Sequence, residues 1–108
     1  MTEAWSADSR PQWRVRLAYD VERQVTGTEG RRAATRLEEE LRGTDRAQQP
    51  RATIDGGRCL VSMYVKGVDE LYAFARAQIL VESAWRRVRG RPLGAPDAGD
   101  AAPAPPGN

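Results

Sequence analysis

Histidine is absent from this 108-residue chain, and cysteine occurs once, as Cys59. The first absence removes the commonest general base and the commonest metal ligand together. With one cysteine beside it, neither a zinc site nor a Cys-His nucleophile can be assembled, and no internal disulfide is possible. A lone thiol fits a reducing compartment, so a cytoplasmic location is expected. Long hydrophobic runs are missing too. No apolar stretch approaches the roughly 20 residues that span a bilayer, and the N-terminus has no charged-then-apolar signal pattern, so neither membrane insertion nor secretion is expected. No glycine-rich loop could cradle a phosphate either, because Gly27, Gly30, Gly56 and Gly57 are spaced as turns. Catalysis would have to rest on carboxylates, tyrosine or arginine, and a non-enzymatic protein without a cofactor is the expectation.

Lysine is almost missing: sixteen of the seventeen basic residues are arginine. Residues 1–91 hold 17 basic and 13 acidic groups, a net of +4, and Asp97 and Asp100 bring the whole chain to +2. That bias is well below what a strong nucleic-acid binder shows. A chain of this length forms one domain at most and buries a modest fraction of its surface, which favours a homodimer.

The organisation reads from the N-terminus. Residues 1–12 form a flexible lead-in that includes Trp5. From 13 to 25 the apolar residues fall on odd positions, Trp13, Val15, Leu17, Tyr19 and Val21, which predicts a strand with one wet face. A turn follows, with Thr28 placed to cap a helix over 31–42 and Glu29 complementing its dipole. Ala33 or Ala34, Leu37 and Leu41 make that helix's apolar stripe. Residues 51–55 and 58–66 are strands joined by the hairpin chemistry of Asp55-Gly56-Gly57. In the second of them Cys59, Val61, Met63 and Val65 share the core face. Asp69 then caps a long helix that runs to Arg89. Residues 91–108, rich in proline, alanine and glycine, predict a disordered tail.

The domain is therefore placed at 13–90, an α+β unit of β-α-β-β-α order. That order resembles a ferredoxin-like two-layer sandwich lacking its last strand, an antiparallel sheet with both helices on one face. The resemblance covers residues 13–89 and is topological only, so it brings no function with it. It implies that the first strand is an open edge, free to pair with another subunit or with the segment around Trp5.

The long helix carries two apolar stripes. Val68, Leu71, Tyr72, Ala75 and Ile79 form the one assigned to the core, which leaves Phe74, Val81 and Trp85 needing cover from elsewhere. The open face of the sheet displays Arg14, Arg16, Leu60 and Tyr64. Together these seven residues are the candidate binding or dimer surface, and sheet-to-sheet dimerisation over Leu60 and Tyr64 is its simplest use. Arg86, Arg87, Arg89 and Arg91 form a candidate basic patch, explained first by the C-terminal dipole of the helix. Arginines beside an exposed tyrosine are reminiscent of sheet-based RNA-recognition domains, where aromatics stack on bases. Here Arg58-Cys-Leu-Val-Ser-Met-Tyr64 lacks their aromatic pair. The expected function is a homodimeric accessory or binding protein with a possible protein partner. Weak RNA or single-stranded nucleic-acid binding is the alternative, and an enzyme related to dimeric α+β barrels stands further behind.

Overall fold

In the first strand Val15, Leu17 and Tyr19 are buried while Arg16 and Asp20 are exposed, so the period-two pattern sets the face of β1 (Gln12–Asp20). The computed structural model describes residues 10–25 and 27–105; the lead-in before Arg10, with Trp5, lies outside them. β1 stops short of residue 25 because the chain turns at Val21. The Val21 N–H donates to Gly57 O at 2.8 Å, and the N–H groups of Gln24 and Val25 both donate to Val21 O at 2.9 Å.

Helix α1 (Thr28–Arg42) begins three residues before the expected start. Thr28 is its first residue and not its cap: Gly27 holds the cap position without a side-chain bond, and Glu29 lies in the first turn. Its buried stripe is Gly30, Ala33, Ala34, Leu37 and Leu41. β2 (Gln48–Asp55) and β3 (Arg58–Lys66) form a hairpin. Gly56 and Gly57 turn it at φ 58° and 79°, a region that side chains rarely adopt. A bulge interrupts β2 between Gln48 and Arg51, with Gln49 at φ 51°. Helix α2 (Glu70–Arg89) is capped by Asp69, whose carboxylate accepts the Tyr72 N–H at 2.8 Å, and it ends on Gly90 in the left-handed region.

A sixth element corrects the expected tail. β4 (Ala98–Pro103) pairs antiparallel with β1, from Trp13 opposite Pro103 to Ala18 opposite Ala98, so the edge of β1 expected to be open is covered. Nothing in Ala-Gly-Asp-Ala-Ala-Pro favours a strand. What holds it is tertiary. Ala101 and Leu93 are buried, Asp100 pairs with Arg16, and Asp97 pairs with Arg58. Glu82 accepts the Leu93 and Gly94 N–H groups at 3.2 Å each, which guides the connection from α2. Gly99 lets the strand come close, because an added Cβ would stand 2.7 Å from both Arg16 O and Phe74 Cε1.

The result is an α+β domain with a four-stranded antiparallel sheet, ordered β2-β3-β1-β4, and a helix after each of β1 and β3. One face of the sheet is buried. Val15, Leu17 and Tyr19 of β1 and Cys59, Val61, Met63 and Val65 of β3 join Leu37, Leu41, Val81 and Trp85 of the helices in a single core. Among the described residues, no helix lies on the opposite face.

Candidate functional site

Two surfaces remain after the core is closed, and α2 supplies the first. Its inward side is Ala73, Ala77, Val81, Ala84 and Trp85, each fully buried. At 3.6 residues per turn, Leu71, Tyr72, Ala75 and Ile79 fall on the opposite side of the helix. The stripe assigned to the core from sequence is therefore the one outside it: Leu71 is 77%, Ile79 66%, Val68 62% and Tyr72 42% exposed. Conversely Val81 and Trp85 are not surface residues at all. Trp85 Nε1 donates to Gln24 Oε1 at 2.9 Å inside the domain. Phe74 is half-buried, packed on the core and against Gly99.

The reason is bulk. Ala73, Ala77 and Ala84 let α2 lie close to the layer beneath it, so the larger side chains of the other stripe have no room inward. The exposed stripe has a cationic border. Arg10 and Arg76 stand over the Tyr72 ring at 5.4 Å and 5.8 Å, and both donate to its hydroxyl. The Arg10 hydrogen bond, helped by the Arg76 charge, lowers the tyrosine pKa from its ordinary value.

The second surface is the open face of the sheet, laid out by the strand register. Residues directly opposite one another share a face. One row runs Thr53, Leu60, Ala18, Ala98; the next runs Arg51, Ser62, Arg16, Asp100; a third runs Gln48, Tyr64, Arg14, Ala102. Arg14, Arg16, Leu60 and Tyr64 are thus brought together on one surface, with Leu60 53% exposed. Sequence reasoning missed Arg51, which alternates with Thr53 in β2, and also Ala98 and Asp100, since β4 has no strand signature of its own.

Small residues in the first row leave a concavity of about 510 Å³, walled by Leu60, Thr53 and Ser62 and rimmed by Arg16, Arg51 and Asp100. Arg16 grips Asp100 through Nε and Nη2 at 3.2 Å and 2.8 Å. That contact holds the Asp100 carboxyl below its usual range and raises the Arg16 pKa. The Arg51 side chain has no hydrogen-bond or ion-pair partner among the described residues. In the neighbouring row, Arg14 Nε is buried without a hydrogen-bond partner.

The basic run at the end of α2 is mostly engaged within the molecule. Arg86 pairs with Glu82, Arg87 with Glu40 at 2.6 Å, and Arg89 with Glu29, while the Arg89 Nη2 also donates to Gln24 O at 2.9 Å. Arg91 is exposed. On α1, Glu38 is likewise occupied, accepting from Arg42 and from the Ala52 N–H, as are Glu29 and Glu40 through Arg89 and Arg87. Cys59 is wholly buried, and burial pushes its thiol pKa up to about 12, so it is a core residue and not a nucleophile. Among the described residues no cluster of acidic or thiol groups could hold a metal ion, and no helix is long and apolar enough to cross a membrane. No family model, curated protein or solved structure matches the chain.

Proposed function

We propose that this chain is a small, non-enzymatic binding protein of the cytoplasm that works as a homodimer, its two copies packing through the outward face of α2. The observation that carries this reading is the apolar stripe of Leu71, Tyr72 and Ile79, continued by Val68 just before the helix, which stands outside a core already closed by the inward side of α2. Burying a side chain such as leucine or isoleucine is worth about 1.5–3 kcal/mol, and this domain leaves that gain unrealised at several positions on one line. Tyr72, Ala75 and Ile79 are three and four residues apart, the spacing at which two helices interlock. Ala75, the small residue at the centre, lets the partner helix approach, and Glu82 and Arg86 end the seam with charge.

The fold supports the same reading. The β2-β3-β1-β4 order, antiparallel throughout, with a helix after each of β1 and β3, favours a ferredoxin-like two-layer sandwich. In such a layer arrangement a dimer through α2 leaves the open sheet face free for a ligand. The buried thiol and the pairing of Glu29, Glu38 and Glu40 favour binding over catalysis. A patch three helical turns long is smaller than the roughly 800 Å² per partner of a standard interface, so the dimer dissociates on dilution.

Cysteine crosslinking tests the geometry. Ala75→Cys is expected to give a disulfide-linked dimer under mild oxidation, and Thr53→Cys on the open sheet face to stay monomeric. The reverse pattern would transfer the interface to the sheet. Buried Cys59 does not interfere.

A further inference from the structure

We infer that the concavity on the open face of the sheet is a binding site for a small amphipathic monoanion, a compound with an apolar body about one or two rings in size and a single carboxylate or sulfonate. This inference is independent of the α2 dimer, because the two surfaces lie on opposite layers of the domain.

The shape comes from side-chain size. Ala18 and Ala98 sit opposite each other on adjacent strands, so the outer face is lowest there, while Leu60 rises beside it as an apolar wall. The volume, about 510 Å³, falls within the roughly 300–1,000 Å³ of small-molecule sites. A floor of methyl groups and backbone takes an apolar body and offers it no hydrogen bonds.

The charge comes from counting what is already neutralised. Three ionised groups line the concavity, Arg16, Arg51 and Asp100. Arg16 and Asp100 satisfy each other with two hydrogen bonds. Arg51 is left as one uncompensated cation at the rim, with the Thr53 and Ser62 hydroxyls as further donors. One positive charge over an apolar floor selects one negative charge on an apolar ligand. A polyanion fits less well. Across the whole face, Arg14, Arg16, Arg51, Arg58 and Lys66 are nearly balanced by Asp20, Asp55, Asp97 and Asp100, so the field that attracts a phosphate chain is weak.

The test is a titration of the full chain with 8-anilinonaphthalene-1-sulfonate, an aromatic body with one sulfonate, read by its fluorescence. Saturable binding of one dye per chain is expected. Ala18→Leu fills the floor and Arg51→Gln removes the charge, and each is expected to weaken binding about tenfold. Ile79→Glu, on the other layer, is expected to leave it unchanged. Octanoate should displace the dye, and an oligouridylate of equal charge concentration should not. Amide shifts on adding octanoate to the unmutated chain, expected at Ala18, Arg51, Thr53 and Leu60, give the same answer without any variant. The inference is overturned if neither sheet variant weakens the dye, if Ile79→Glu alone abolishes it, if the oligouridylate displaces it better than octanoate, or if octanoate shifts appear elsewhere.

Discussion

Trp85 and Gln24, 61 residues apart in the chain, share a 2.9 Å hydrogen bond that ties the C-terminal part of α2 to the turn between β1 and α1. The indole is fully buried, so the bond satisfies a donor that water cannot reach. Trp85→Ala is expected to destabilise the domain by about 3–5 kcal/mol through lost volume. Gln24→Ala is expected to cost about 1–3 kcal/mol, the range for stranding a buried donor. Urea unfolding of the two variants checks the order. Equal stability of Trp85→Ala and the parent chain would return Trp85 to the surface.

Glu82 gives a pH-dependent contribution. Burial opposes its ionisation, yet the hydrogen bonds from Arg86, the Leu93 N–H and the Gly94 N–H outweigh that, and its pKa lies below the ordinary 4.5. A carboxyl whose folded pKa is depressed binds fewer protons folded than unfolded. Its stabilisation is therefore complete above about pH 4.5 and is lost as the pH falls through the lower folded value. Glu82→Gln should cost about 1 kcal/mol at pH 7, a modest figure because the site is partly solvated. The gap between variant and parent melting temperatures should close as the pH falls below the carboxylate range. A gap that stays constant with pH would mean that the charge has no part in holding the connection to β4.

Gly99 allows β4 to dock, and Gly99→Val should undo it. The new side chain would meet backbone oxygen on one side and the Phe74 ring on the other, at a cost of about 1–3 kcal/mol. Amide exchange should quicken at Ala98–Pro103 while the β2 and β3 hairpin keeps its protection. Uniform loss of protection would show that β4 is an integral part of the folding unit and not a late addition.

Cys59 should be silent. Its thiol is buried and its pKa is about 12, so a disulfide reagent such as Ellman's compound is expected to react only at the rate of unfolding. Fast reaction in native buffer would contradict the placement of β3.

How far the fold could be read from the residues differs by element. β1 and β3 alternate cleanly because one of their faces is wet, and Val15, Leu17, Val61 and Met63 fell on the side expected. The turn at Gly56 and Gly57 and the caps at Asp69 and Gly90 were equally legible, since each needs a particular residue for a particular backbone. β4 was not. Alanine, glycine and proline have no strand preference, and this strand exists because β1 presents an unpaired edge and Glu82, Arg16 and Arg58 reach it. The faces of α2 were read in reverse for a different reason. Apolar bulk marked Leu71 and Ile79 as core, whereas close packing selected Ala73, Ala77 and Ala84. Helix approach distance is a property of the pair of layers, and one helix's sequence does not state it. The open-face site was half legible: Arg14, Arg16, Leu60 and Tyr64 follow from alternation, as Arg51 does beside Thr53, but Ala98 and Asp100 needed β4 and its register.

Sedimentation velocity over a micromolar concentration series tests the α2 dimer most directly. The parent chain and Leu60→Glu are expected to move from monomer to dimer as concentration rises, and Leu71→Glu and Ile79→Glu to remain monomeric while keeping the parent's circular dichroism. A parent chain that stays monomeric throughout, or a dimer lost in Leu60→Glu and kept in Ile79→Glu, would contradict it.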